Sequence, residues 1–191
     1  MWNKLFGTGV ALFNTGVALV LALLLSNAAL GAEARMSRHA LIIGIGEYEA
    51  RGIETLHGVK HDMESAKRMA ETMGIPTSNI RYLRDKAATL EGIRKEIREL
   101  EERINQGDRV FVYYSGHGTR YLDESISKDT CTEALMAADG NALTNRELGQ
   151  LLKRIADKTD KLFVFYDACF SGGVVAEPFQ VTSPSFLYQC N

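Results

Sequence analysis

Two stretches of this chain end an apolar run in a reactive side chain set among small residues. Val110-Phe111-Val112-Tyr113-Tyr114 leads into Ser115-Gly116-His117-Gly118, and Leu162-Phe163-Val164-Phe165-Tyr166 leads into Asp167-Ala168-Cys169-Phe170-Ser171-Gly172-Gly173. A cysteine attacks as its thiolate, and a free thiol is mostly protonated at neutral pH, so it needs a base beside it. An imidazole serves both halves of that task, taking the thiol proton and then handing it to a leaving amine. Glycines flank His117 and follow soon after Cys169, where they permit tight turns and close approach by a peptide backbone. The backbone N–H groups of Gly118 and Cys169 are then candidates for stabilising a tetrahedral oxyanion.

The elements that must present this pair read as an alternation of strand and helix. The two runs are continuous rather than alternating in polarity, as expected of strands buried on both faces in a parallel sheet, and sites in such sheets form beyond the carboxyl ends of the strands. Residues 39–46 read as a first buried strand. Its Gly44-Ile45-Gly46 lacks the third glycine of a dinucleotide fingerprint, and no helix opens there. A helix is expected over 59–73, with Val59, Met63, Ala66, Met69, Ala70 and Met73 on one face, ended by Gly74 and Pro76. A short strand at 79–83 precedes a helix capped by Thr89 with the stripe Leu90, Ile93, Ile97, Leu100 and Ile104. Residues 119–139 are polar and irregular, a loop or hairpin. Thr144-Asn145-Arg146-Glu147 then forms a capping box for a last helix, with Leu148, Leu151, Leu152 and Ile155 inward. The order favours an α/β fold with a mainly parallel sheet and helices on both faces.

Composition sets bounds on these readings. The chain has 191 residues, 46% hydrophobic and 24% charged, with a formal net charge of −2. Acids and bases are interspersed and no basic block occurs, so no nucleic-acid partner is expected. None of the three cysteines sits in a CxxC pair, which removes a zinc ribbon or a dithiol redox motif. Cys131 and Cys190 read as small buried hydrophobes, or alternatively as a disulfide in an oxidising compartment.

The first 34 residues are read as a targeting segment. Lys4 precedes the apolar stretch at 17–25, and small residues follow up to Ala34. The expected reading is a secretory signal cleaved after Gly31, Ala32 or Ala34, with an uncleaved membrane anchor as the alternative. Either one places the folded part outside the cytoplasm: exported, periplasmic or secreted, or attached to the membrane facing outward. The domain division is thus 1–34 signal or anchor, 35–175 catalytic domain and 176–191 irregular tail.

On the residues Tyr113-Tyr114-Ser115-Gly116-His117-Gly118 and Asp167-Ala168-Cys169-Phe170-Ser171-Gly172, the chain resembles the caspase-like cysteine peptidases, within them the metacaspase and bacterial caspase-domain group. Ala40-Leu41-Ile42-Ile43-Gly44-Ile45 and Leu56-His57-Gly58-Val59-Lys60-His61-Asp62 are similar to that family's first strand and following loop. The resemblance implies a caspase-like three-layer sandwich, a peptide or protein substrate, Cys169 as nucleophile, His117 as general base and acid, and Gly118 and Cys169 as oxyanion-hole amides. It further implies cleavage after arginine or lysine. Asp167 and, on a looser match, Asp62 would line the substrate pocket, with Ser115 counted beside them. Buried carboxylates suit a cationic side chain, although Asp62 read by itself is equally a surface acid near a helix start.

The chain departs from the metacaspase pattern at Phe170, where a histidine is typical, and at Val59, where a cysteine is common. Many metacaspases bind calcium through an acidic loop. Asp123, Glu124, Asp129, Glu133 and Asp139 are candidates by location only, so no cofactor is expected to be required and calcium is left open. The family's sheet continues past the nucleophile strand, whereas this chain runs on only to Asn191. The sheet is therefore expected to be truncated after that strand, with the large-subunit portion present. The leading expectation is a cysteine endopeptidase. The alternatives are a catalytically inactive or truncated caspase-like interaction module, and some other thiol hydrolase on a related sheet.

Overall fold

The computed structural model describes residues 36–122 and 131–169. They belong to the second of two units into which the chain divides, Met1–Arg35 and Met36–Asn191. The expected targeting segment and C-terminal tail lie outside the described residues. Among the described residues, no helix is long and apolar enough to cross a membrane.

The chain builds β1 (Arg38–Gly44), helix α1 (Val59–Thr72), β2 (Ile80–Arg84), α2 (Leu90–Arg103), β3 (Arg109–Ser115), β4 (Gly118–Leu122), β5 (Cys131–Met136), β6 (Ala142–Thr144), α3 (Asn145–Ala156) and β7 (Leu162–Asp167). Strands β2, β1, β3 and β7 form, in that order, a parallel four-stranded sheet. The fold is the expected α/β arrangement. Strands β4, β5 and β6 form a separate antiparallel sheet, so of the loop or hairpin expected after His117 it is hairpin pairing that forms.

Alternation along the central strands sorts side chains to two faces. Ala40, Ile42, Phe111 and Tyr113 pack with Val59, Met63, Ala66 and Ala70 of α1. Leu41, Ile43, Val110, Val112 and Tyr114 pack with the inward residues of α2 and α3, including Ile93, Ile97, Leu148 and Ile155. Burial on both faces explains why β1 and β3 are apolar at nearly every position.

The same expectation fails for β7. Leu162, Val164 and Tyr166 pack on the α2–α3 side, but Phe163 and Phe165 remain 48% and 41% exposed. They stack on Phe111 and Tyr113, with ring centroids 5.9 and 5.5 Å apart. Helix α1 lies over β1 and β3, so the same face of β7 is left partly open to solvent.

Both expected helix caps form. Thr89 Oγ1 accepts from Gly92 N at 3.0 Å, and Thr144 Oγ1 accepts from Glu147 N at 3.2 Å. The capping box at α3 is only half made, because the Glu147 carboxylate accepts instead from Arg94 Nε and Nη2 at 2.5 and 3.0 Å. A bidentate guanidinium is a stronger donor than a backbone amide, and the pair ties α2 to α3.

At the amino end of the sheet, His39 is largely buried, with Nε2 3.5 Å from Asp108 Oδ2. Asp108 is 3% exposed and is already engaged by Ser37 N at 2.6 Å and Asn105 N at 2.9 Å. Burial holds the His39 pKa below its ordinary 6.5; Asp108 opposes that shift and Arg103 adds to it. As pH falls through 6.5 the unfolded chain therefore takes up this proton before the folded chain does. The stabilisation is complete above 6.5 and is lost as pH drops toward the folded value. Urea midpoints measured between pH 7.5 and 5.5 should fall, and should fall less in His39→Leu. The slopes should differ by at most about 1.4 kcal/mol per pH unit, the limit for one proton. Parallel slopes would refute this role for His39.

Candidate active site

Strand β3 lies between β1 and β7 in register, so Gly44, Ser115 and Asp167 form one row at the carboxyl edge of the sheet. Beyond that row Gly116 N donates to the Asp167 carbonyl at 3.3 Å. A methyl group placed on Gly118 would collide with the backbone carbonyl of Cys169. The segments that carry His117 and Cys169 thus run side by side, and only a glycine at 118 allows them to do so. The two amides expected to face an oxyanion lie on these same segments. Cys169 is an exposed free thiol.

His117 is half-buried, and most of its polar atoms are committed. Its N–H donates to Tyr48 Oη at 2.7 Å, and its carbonyl accepts from Met136 N and from Tyr114 Oη, each at 2.9 Å. Nε2 lies 2.8 Å from the Glu54 carbonyl oxygen. A carbonyl can only accept, so this contact puts the ring proton on Nε2 and leaves the lone pair on Nδ1. Among the described residues Nδ1 has no hydrogen-bond partner, and it is the atom free to take a proton.

On the α1 side of the same edge, two hydroxyls on β3 each hold one carboxylate. Ser115 Oγ donates to Asp62 Oδ2 at 2.9 Å, and Tyr113 Oη donates to Asp167 Oδ2 at 3.2 Å. Burial raises the Tyr113 phenol pKa, and the charges of Asp167 and Asp62 raise it further, so it remains a donor. Asp62, Ser115 and Asp167, far apart in sequence, are brought together here. Asp62, near the start of α1, is tied to the sheet edge by this one hydrogen bond. Two carboxylates thus stand at one edge of the sheet, Asp62 half-buried and Asp167 exposed rather than buried as expected.

Tyr113, Tyr48 and Glu54 were not among the expected site residues. Tyr113 carried a signal, since it sits two positions before Ser115 and strand periodicity places both on one face. Glu54 contributes a backbone carbonyl, which leaves no trace in residue type.

The calcium candidates do not assemble a ligand set in the described structure. Asp123, Glu124 and Asp129 lie outside the described residues. Asp139 accepts from Leu90 N at 3.3 Å and Asn141 N at 3.2 Å, capping the start of α2. Burial works against its charge, but these hydrogen bonds outweigh it and hold the carboxyl below its ordinary pKa. Among the described residues no group of three His, Cys, Asp or Glu side chains could hold a metal ion. Cys131 is half-buried and disulfide-bonded, in line with the disulfide alternative rather than with a small buried hydrophobe. Cys190 lies outside the described residues.

Comparison with known proteins gives a consistent result. The sequence model of the caspase domain family matches residues 37–186. Metacaspase-6 of Arabidopsis thaliana is 30% identical over 150 residues, an alignment covering 74% of this chain and 40% of that protein. Metacaspase-2 of Trypanosoma brucei brucei is 25% identical over 152 residues, covering 73% of this chain and 43% of that protein. A crystal structure of a protein from Geobacter sulfurreducens superposes with a TM-score of 0.58 at 26% identity, covering 70% of this chain and 50% of that one. The chain thus spans less than half the length of these curated relatives.

The contact between Gly118 and Cys169 is open to a direct test. Gly118→Ala should destabilise by about 1–3 kcal/mol through overpacking, and should change the rate at which iodoacetamide alkylates Cys169. Gly58→Ala, whose methyl would come no nearer than 4.0 Å to Asp62 Oδ2, should alter neither. Wild-type labelling and thermal stability in Gly118→Ala would show that the two segments are not packed together.

Proposed function

Because the chain belongs to the caspase domain family, we propose that it is a cysteine endopeptidase with Cys169 as nucleophile and His117 as general base, cleaving peptide bonds after arginine or lysine. The observation that carries this reading is the set of bonds on His117. With Nε2 committed to the Glu54 carbonyl, the lone pair on Nδ1 is left at the strand end neighbouring the one that bears the free thiol.

In this reading His117 Nδ1 takes the Cys169 proton and the thiolate attacks the scissile carbonyl carbon. The backbone N–H groups of Gly118 and Cys169 hold the oxyanion. The tetrahedral intermediate collapses by breaking the C–N bond, and the imidazolium gives its proton to the departing amine. A water molecule, deprotonated by the same imidazole, then attacks the thioester carbon; the C–S bond breaks, the acid leaves, and the Cys169 thiolate takes back the proton from the imidazolium. No step calls on a metal ion. The specificity rests on Asp62 and Asp167, oriented by Ser115 and Tyr113. An arginine or lysine side chain answers two carboxylates, and an acidic side chain is repelled by them. The apolar stretch and small residues near the amino terminus support a place of action outside the cytoplasm.

The test is turnover of a peptide with a reporter amide after arginine. Cys169→Ala and His117→Ala should each lower kcat/KM by about 10³-fold or more. Asp167→Asn should reduce it about 10- to 100-fold for arginine and lysine substrates, the loss of one charge-assisted hydrogen bond, mainly through KM. Turnover surviving both Cys169→Ala and His117→Ala rules out the dyad. An unchanged preference for basic residues in Asp167→Asn rules out the pocket assignment. A folded protein with neither turnover nor labelling of Cys169 by an arginine-directed thiol probe favours an interaction module.

A further inference from the structure

We propose that Tyr48 is a positioning residue for His117, acting from a loop that Asp85 anchors. This rests on the reading of His117 as general base. The loop in question runs from the end of β1 to α1 and meets His117 at two places. Tyr48 Oη accepts from the His117 backbone N–H at 2.7 Å, and the rings of the two residues pack with centroids 5.0 Å apart at 46°. Six residues later the Glu54 carbonyl takes the Nε2 proton at 2.8 Å. One short segment therefore fixes both the backbone and the ring of the histidine. Tyr114 completes the arrangement from beneath, its single O–H shared between the carbonyl oxygens of His117 at 2.9 Å and Met136 at 2.7 Å. The two tyrosine hydroxyls converge on Gly116, where an added Cβ would lie 2.7 Å from Tyr114 Oη and 2.9 Å from Tyr48 Oη. Gly116 is thus the space that allows both phenols to reach the histidine backbone.

A loop that fixes a ring must itself be fixed. Asp85 Oδ1 accepts from Gly46 N at 2.9 Å and from Glu47 N at 3.2 Å, immediately before Tyr48. Further along the loop, Glu49 N donates to the Ala138 carbonyl and Leu56 N to the Gly46 carbonyl, each at 2.8 Å. Asp85 adopts φ +44, and no other non-glycine residue among those described has a positive φ. That conformation is tolerated by Asp and Asn and strained for most other side chains. Strained residues of this kind persist where the surroundings over-determine them, often at functional sites. Here the strain turns a carboxylate onto the two amides that start the loop. Neither Tyr48 nor Asp85 is adjacent to the dyad in sequence, and neither has a part in the bond-making steps. Their contribution is to hold the Nε2–H tautomer and so keep Nδ1 available, which is a matter of alignment.

The experiment compares Tyr48→Phe, Asp85→Ala and Asp85→Asn in the full chain, using kcat and KM on the arginine peptide and the ¹⁵N NMR signals of the His117 ring. Tyr48→Phe keeps the ring contact and removes the acceptor. It should lower kcat about 10- to 100-fold, leave KM within about two-fold, and convert a dominant Nε2–H tautomer into a mixture. Asp85→Ala should move both readouts in the same direction. Asp85→Asn, which retains an acceptor oxygen and accepts the positive φ, should restore most of the loss. The proposal is overturned if Tyr48→Phe leaves the tautomer unchanged, or leaves kcat within about two-fold of the parent. His117→Ala and Cys169→Ala run in the same assay separate the two ideas. If those variants keep turnover the dyad fails, and the tautomer measurement alone then decides whether Tyr48 positions the ring.

Discussion

The parallel pairing of β3 with β1 on one side and β7 on the other is the constraint from which the rest of the site follows. It aligns Gly44, Ser115 and Asp167 in a single row. The register is held by burial on both faces: Val110, Phe111, Val112, Tyr113 and Tyr114 are all 3% exposed or less. Each large apolar side chain so buried contributes roughly 1.5–3 kcal/mol. A slip of one residue would move every side chain of β3 to the opposite face. Tyr113 and Ser115 would then leave Asp167 and Asp62, and Tyr114 would leave the carbonyl of His117. Core packing and site geometry are therefore one requirement.

The alternation of a single strand also divides the work of the site. Tyr113 and Ser115 point to the α1 side, where each orients a carboxylate. Tyr114, between them, points to the other side, where its hydroxyl supports the peptide of His117. The two carboxylate contacts and the histidine support are thus built from neighbouring residues whose side chains lie on opposite faces of the sheet. Past Ser115 the strand can continue to the antiparallel sheet only because Gly116 makes room for two phenols and Gly118 makes room for the Cys169 carbonyl.

Legibility from sequence was uneven, for local reasons. Strands β1 and β3, the stripes of the three helices and the caps at Thr89 and Thr144 depend on period and on neighbouring residues, and all were readable. The half-made capping box at Glu147 was not, because the competing donor, Arg94, belongs to another helix. Nor was the open face of β7. Phe163 and Phe165 have the composition of a doubly buried strand, but burial depends on whether a helix lies above them. After His117 the sequence left a loop and a hairpin both open, because a polar hairpin has no strong hydrophobic period and is held by cross-strand pairing.

The sequence by itself determined the two strand-end motifs, their placement on a parallel sheet, and the residue types His117, Cys169 and Asp167 that make a thiol peptidase the natural reading. These features are written in contiguous residues, so local pattern carries them. Only the tertiary structure decided that Asp62 meets Ser115, that Tyr113 holds Asp167, and that His117 is gripped by Tyr48 and the Glu54 carbonyl. Those contacts join residues distant along the chain, and one of them uses a main-chain oxygen that every residue possesses. Their physical origin is the register of the sheet and the path of the loop that follows β1, neither of which a one-dimensional pattern specifies.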